Sequence, residues 1–331
     1  MEIRYFRNDE WDKLLAAIDT LWAHNHIYCR NPELLKYLVY NTPYREKTVG
    51  EGNTSFLGIF DNDEVLGLLG YIPLECNVFG KEYTASTGTI VKVDKEKANF
   101  LGLDLFNKML ENKQTIHLGI GINNRVKKLY SALGYYVFED LTRWIGTCNH
   151  KKLKEVFYDS NSSYMIDYLQ ELSTNSGQEE CVFTDFVDEN EWNKFYNEKF
   201  SKRTIGISRN YKFLKWRYFD YPFFDYQILA VKNKKNEIEG LAIYRIEEID
   251  HGKYKISRIV EFIYNDIKYG IALAKKMVSN KEEILFWDFY CASAITATAL
   301  EYIGFKRLPE NEKDKYIPTR FQPIDYNNMN I

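Results

Sequence analysis

Three segments of this chain occur twice, in the same order each time, and that repetition limits its architecture more than any other feature. RNDEWDK around Trp11 returns as DENEWNK around Trp192. NPELLKYLVYNTP, from Asn31 to Pro43, aligns without a gap on NYKFLKWRYFDYP, from Asn210 to Pro222. Each is followed by two apolar stretches around a polar turn: FLGIFDNDEVLGLLGY from Phe56, and ILAVKNKKNEIEGLAIY from Ile228. Finally LYSALGYYVFE around Gly134 returns as ALEYIGFKRLPE around Gly304. A chain of 331 residues is too long for one ordinary core. The repeats divide it into a domain over 1–150 and a second over 181–331. Between them, 151–180 carries two amphipathic stretches, KKLKEVFYD and YMIDYLQEL, and the polar run STNSGQEE, which together read as a helical linker.

Within each copy the periodicity predicts two N-terminal helices, a β-hairpin, further strands, a helix, a strand and a closing helix. In the first copy the hairpin turn is DNDE, between Phe60 and Val65. A strand is expected over Glu82 to Val93, a helix over NFLGLDLFNKMLE, a strand over TIHLGIG and a helix over NRVKKLYSALG, with Gly134 as its left-handed cap. The expected fold class is therefore α/β (α+β): two tandem domains, each with a mixed, mostly antiparallel central sheet flanked by helices.

Charge and cysteine content narrow the function classes. A formal net charge of -3 supplies no overall basic field for nucleic acid or an anionic membrane. The opening MEIRYFRNDEWDK lacks the pattern of a signal peptide, and no apolar run approaches the ~18 residues that span a bilayer, so a cytoplasmic location is expected. The five cysteines lie far apart without a CxxC pair, so neither a disulfide framework nor a metal site is expected. Small-molecule partners fit this picture best.

One segment carries chemistry. INNRVKKLYSALGYYVF, from Ile122, resembles the closing motif of the GCN5-related N-acetyltransferase superfamily, with Asn123, Val126, Tyr130, Gly134 and Tyr135 in register. The resemblance implies that Asn123 contacts the pantetheine and phosphate region of coenzyme A, and that the Tyr130 hydroxyl lies near the sulfur, where it protonates the departing thiolate. The family's pyrophosphate loop corresponds to Lys97-Ala98-Asn99-Phe100-Leu101-Gly102, in which Lys97 and Gly102 are kept and Phe100 replaces a glycine. Such a loop offers backbone N–H groups at a helix start to phosphate oxygens. The strand STGTIVKVD would be the family's fourth, splayed from TIHLGIG to admit the pantetheine arm, with Val91 and Val93 beside the donor and an N–H between Ile90 and Val93 facing the thioester carbonyl.

Two residues compete as the group that takes the amine's proton. Asp94 ends the splayed strand, and equally suits a turn or helix N-cap. His117 has an ordinary pKa near neutrality, and equally suits a satisfied core histidine. Ser86 and Thr87 lie further along the strand and could position sugar hydroxyls. The second copy has Ser293 at the Asn place and Leu300 at the Tyr place, with no phosphate loop before YGIALAKKMV, which implies a non-catalytic domain. Over nearly the whole chain the likeness is to tandem bacterial enzymes that acylate the amino group of nucleotide-linked amino sugars, those of the anthrose pathway in particular. That implies a dTDP-4-amino-4,6-dideoxyhexose acceptor and a short acyl-CoA donor, plain or hydroxylated; Trp216 and Arg217 offer an aromatic face and a guanidinium for the acceptor, and equally suit the ordinary apolar face of a helix. A peptide or other amine acceptor, and a ligand-binding module without turnover, are the alternatives.

Overall fold

The computed structural model describes residues 1–111, 116–120, 122, 124–137, 141–157, 163–174 and 181–308. From the N terminus, β1 (Glu2–Arg7) leads into α1 (Trp11–Ala17), which continues as a π-helical turn at Ile18–Trp22. Then come α2 (Ile27–Arg30), α3 (Pro32–Tyr40) and α4 (Arg45–Thr48). The strands β2 (Asn53–Asp61), β3 (Glu64–Val78) and β4 (Lys81–Val93) form a meander, followed by α5 (Gly102–Leu110), β5 (Ile116–Leu118) and α6 (Asn124–Ala132). Next are β6 (Thr142–Gly146), α7 (His150–Phe157), α8 (Ser163–Tyr168), β7 (Val182–Thr184) and α9 (Glu189–Phe195). After β8 (Ile205–Ile207) and α10 (Tyr211–Leu214), a second meander runs through β9 (Tyr226–Lys232), β10 (Ile238–Ile249) and β11 (Tyr254–Tyr264). The described chain closes with α11 (Ile267–Val278), β12 (Ile284–Cys291), α12 (Ala294–Tyr302) and β13 (Lys306–Arg307).

These elements form two compact units, Met1–Val137 with Ser201–Arg217, and Phe138–Phe200 with Tyr218–Ile331. In the first, the sheet order is β1-β2-β3-β4-β5, with β8 paired to β3. In the second it is β13-β6-β12-β11-β10-β9-β7. Most neighbours are antiparallel, and β4 with β5 and β11 with β12 are the parallel pairs among the described strands, each joined by a crossover helix. The sequence repeats are structural repeats. Asn31 and Asn210 each cap a helix, accepting from Leu34 N–H at 3.3 Å and Phe213 N–H at 3.0 Å. Gly134 and Gly304 both take left-handed φ, +83° and +112°, where a side chain would be strained.

The expected boundaries differ from these units in three places. The first unit ends near residue 137 rather than 150, because β6 pairs with β12 and β13 and its Arg143, fully buried, forms an ion pair with Asp288 at 2.9 Å. Much of 151–180 is core rather than linker: Leu153, Phe157, Ile166 and Leu169 are buried with Leu285 and Phe286. Residues 201–217 return to the first unit, where the Asn77 side-chain amide donates to the carbonyls of Ser201 and Thr204 at 2.9 and 2.7 Å.

The first unit's sheet is covered on both faces, which is why β2 is almost continuously buried. Phe56, Phe60, Leu68 and Ile90 pack with Leu14, Ile18 and Leu35 from α1, the turn after it and α3. On the other face Leu57, Ile59, Leu69 and Tyr71 pack with Leu105 and Met109 of α5 and Tyr130 of α6.

Candidate active site

Two irregularities open the first sheet at one place. Along β3 and β4 the register passes from Gly70↔Ile90 to Tyr71↔Gly88, so Thr89 is the extra residue of a β-bulge. On the other side of β4, the parallel ladder to β5 ends with Ser86↔His117 and Thr87↔Leu118. Beyond that rung β4 runs on to Val93 with no described partner on this edge, and β5 ends at Leu118. The gap is a pocket of about 210 Å³, walled by residues 88–91 on one side and Gly119, Ile120 and Ile122 on the other. Phe106, Val126 and Tyr130 line it from the α5 and α6 face, and Trp22 lines it from the opposite face.

Ser86 Oγ lies 2.7 Å from His117 Nδ1, and Ser86 is fully buried. The His117 ring covers Gly88: a Cβ there would stand 3.6 Å from Nε2. Burial pushes the imidazole pKa down to about 4, so it is neutral at physiological pH. Tyr130 is 6% exposed, its ring against Gly119, where a Cβ would stand 3.4 Å from it. Phe106 meets it edge-on at 5.7 Å and Tyr135 at 4.6 Å. Burial raises the pKa of the Tyr130 phenol; burial and the neighbouring Tyr130 push that of Tyr135 up to about 12. Two buried hydroxyls here, Thr89 Oγ1 and Tyr135 Oη, have no hydrogen-bond partner among the described residues.

Ser86, Val91, His117 and Tyr130 are thus brought together at the gap. Thr87 holds the last rung before it. Asp94 is elsewhere: its Oδ1 accepts the N–H groups of Lys97 at 3.0 Å and Glu96 at 2.8 Å, which lowers its pKa and shapes the loop into α5. It is not among the residues that line the pocket. Lys97 is exposed and pairs with Glu64 at 2.5 Å, Gly102 begins α5, and Val93 packs against Gly102. Asn123 lies outside the described residues. Trp216 is 7% exposed and stacked on Tyr37, which leaves no open face for a nucleobase; Arg217 is half-buried near Tyr28. Neither joins the pocket. Among the described residues there is no group of three or more metal-ligating side chains, and no helix is long and apolar enough to cross a membrane.

Trp22, Thr89 and the Tyr135 hydroxyl escaped the sequence reading. Thr89 carries a weak signal, a residue that breaks strict alternation in STGTIVKV; Trp22 carries none, since its helical spacing matches that of core residues.

The second unit repeats the bulge and fills the gap. Its register passes from Ile243↔Glu261 to Tyr244↔Ile259, leaving Val260 extra. Counting from the bulge, Phe262 and Tyr264 stand where the first unit has Val91 and Val93. Both rings are buried; Phe262 meets Phe289 of β12 at 6.3 Å, and the Tyr264 hydroxyl donates to the Ile295 carbonyl at 2.5 Å. Leu300, at the place of Tyr130, is fully buried core.

No protein-family model matches the chain, and neither does any curated protein. Solved structures do. A GCN5-related N-acetyltransferase from Anabaena variabilis matches with TM-score 0.59 and 14% identity, over 93% of this chain and 71% of that one. A probable N-acyltransferase of unknown function from Enterococcus faecalis gives 0.55 and 12%, over 87% of this chain; the match spans 64% of that protein's length. N-myristoyltransferase of Saccharomyces cerevisiae, solved with bound myristoyl-CoA, gives 0.53 and 11%, over 93% and 76%. The chain has the fold of the GCN5-related N-acetyltransferases, extended over nearly its whole length.

Proposed function

We propose that this protein is an acyl-CoA-dependent N-acyltransferase whose donor site is the gap between β4 and β5 of the first unit. The observation that carries the reading is the coincidence of the Thr89 bulge, the end of the β4–β5 ladder and Tyr130 at one pocket. A pantetheine arm carries amides that suit an unpaired strand edge, and residues 88–93 offer one. The loop from Lys97 to Gly102 stands at the outer end of that edge, where a helix start suits a pyrophosphate. The exposed Phe100 makes this loop less glycine-rich than the family pattern.

In this reading the acceptor amine attacks the thioester carbonyl carbon, a backbone N–H at the bulge receives the developing oxyanion, and the C–S bond breaks as the amide forms. Tyr130 gives its proton to the leaving thiolate. His117, fixed by Ser86, is too weak a base to remove a proton from an alkylammonium, so the amine enters neutral; the proton its nitrogen carries after attack passes to solvent, from which the Tyr130 phenolate is reprotonated. The second unit, with its gap filled, is non-catalytic.

For the acceptor we propose the amino group of a nucleotide-linked amino sugar such as a dTDP-4-amino-4,6-dideoxyhexose, acylated with a short, hydroxylated or plain acyl group. Support comes from the sequence resemblance to tandem enzymes of that class. Incubating the purified protein with a panel of acyl-CoAs and amino-sugar nucleotides, with mass spectrometry of the products, tests it. An acylated sugar nucleotide and free CoA are expected. Acylation of peptides or other amines alone would move the acceptor class, and no turnover with any donor would remove the activity.

A further inference from the structure

Trp22 closes the end of the pocket opposite Tyr130 and is left by the reading above without a role. It ends the π-helical turn that follows α1, and the chain reverses directly after it. Asp19 pins that reversal: one carboxylate oxygen accepts the Asn25 N–H at 2.7 Å and the other bonds His24 Nδ1 at 2.8 Å. Asn25 adopts φ +56°, within the left-handed region that asparagine tolerates best after glycine. The turn fixes the backbone beside Trp22, which is 40% exposed, whereas Ile18 at the start of the same turn is fully buried. Among the described residues no ring, cation or hydrogen-bond partner takes up the indole.

We propose that Trp22 is the acceptor platform, against which the apolar face of an amine-bearing sugar ring lies so that its amino group points at the Thr89 bulge. This rests on the acyltransferase reading above. The donor, on that reading, enters along the open edge of β4 with its sulfur near Tyr130. Of the remaining lining, Trp22 comes from the α1 side of the sheet, away from α5 and α6, and that is the side left for the amine. The chemistry around the indole favours a saturated, hydroxylated ring over a flat aromatic one. The indole offers one apolar face, while His24 and Asn25, next in the turn, are polar and exposed. A pyranose has the matching shape, with an apolar C–H face and a rim of hydroxyls; an aromatic amine would leave the polar rim unused. Among the described residues no carboxylate lines the pocket, which suits an amine that arrives uncharged.

The test compares wild type, Trp22→Ala and Trp22→Phe, using the best donor found in the acyl-CoA panel and two acceptors, the amino-sugar nucleotide and a simple arylamine. Trp22→Ala should raise KM for the sugar about 10-fold or more, the order expected for loss of one stacked ring. Donor affinity by calorimetry should stay within about 2-fold, and Trp22→Phe should recover most of the sugar KM. Should Trp22→Ala not fold, Trp22→Leu keeps the bulk, loses the flat face and carries the same expectation. An unchanged sugar KM in a folded variant overturns the assignment, and so does turnover of the arylamine without the sugar, or an equal loss of donor affinity. Wild-type protein that binds no acyl-CoA overturns the acyltransferase reading itself, a different result from any of these.

Discussion

Ser86 Oγ and His117 Nδ1 lie 2.7 Å apart on the last strand pair before β4 and β5 part, so one ring nitrogen is committed and the other faces the pocket over Gly88. The pair fixes the orientation of an imidazole that burial keeps neutral.

That neutrality has a pH signature. The His117 pKa is about 4 in the fold and 6.5 in the unfolded chain, so between those values the unfolded state binds the extra proton. Stability from this group is therefore complete above about pH 6.5 and is lost as pH falls towards 4, by at most roughly 3 kcal/mol. Denaturant unfolding at several pH values should show a smaller loss between pH 7 and 4.5 in His117→Gln than in wild type. Equal pH dependence in the two proteins would mean that His117 titrates normally.

Tyr130→Phe removes the proposed proton donor and little else. Its kcat should fall roughly 10- to 1000-fold while acyl-CoA affinity holds. An unchanged kcat would make Tyr130 a packing residue.

Tyr135 differs from Tyr130 in that its hydroxyl is buried without a partner among the described residues. Tyr135→Phe should stabilise the free protein by roughly 1 kcal/mol, since an unmade hydrogen bond in a buried place costs about that much. Thermal or denaturant unfolding reads the sign; a loss of stability would mean that the hydroxyl is satisfied in solution.

Asp94→Ala separates the loop role from a catalytic one. With its carboxylate bonded to the N–H groups of Lys97 and Glu96, its loss should weaken acyl-CoA binding several-fold and leave kcat at saturating substrate nearly unchanged. A collapse of kcat with unaltered donor affinity would return Asp94 to the role of base.

The duplication was readable because caps and turns are local: Asn31 and Asn210, Gly134 and Gly304 do the same work in both units. Tyr130, His117, Ser86 and Val91 were legible as candidates because the Tyr130 motif fixes the spacing of the strands before it. Domain boundaries were not, because β6 and 201–217 are assigned by long-range pairing, which leaves no local pattern. The burial of Trp216 has the same origin: its neighbour Tyr37 lies far away in sequence. The filled gap of the second unit was half legible: Leu300 announced the lost phenol, whereas Phe262 and Tyr264 acquire meaning only once the bulge register aligns them with Val91 and Val93.

That alignment supplies the most direct test of the central claim, which is that one gap per chain, in the first unit, receives acyl-CoA. Titration calorimetry of wild type and Val91→Phe, which places the second unit's residue in the first unit's gap, measures both stoichiometry and location. The account predicts a single site in wild type and its loss in a folded Val91→Phe protein. Two sites in wild type, or undiminished binding by Val91→Phe, would contradict it.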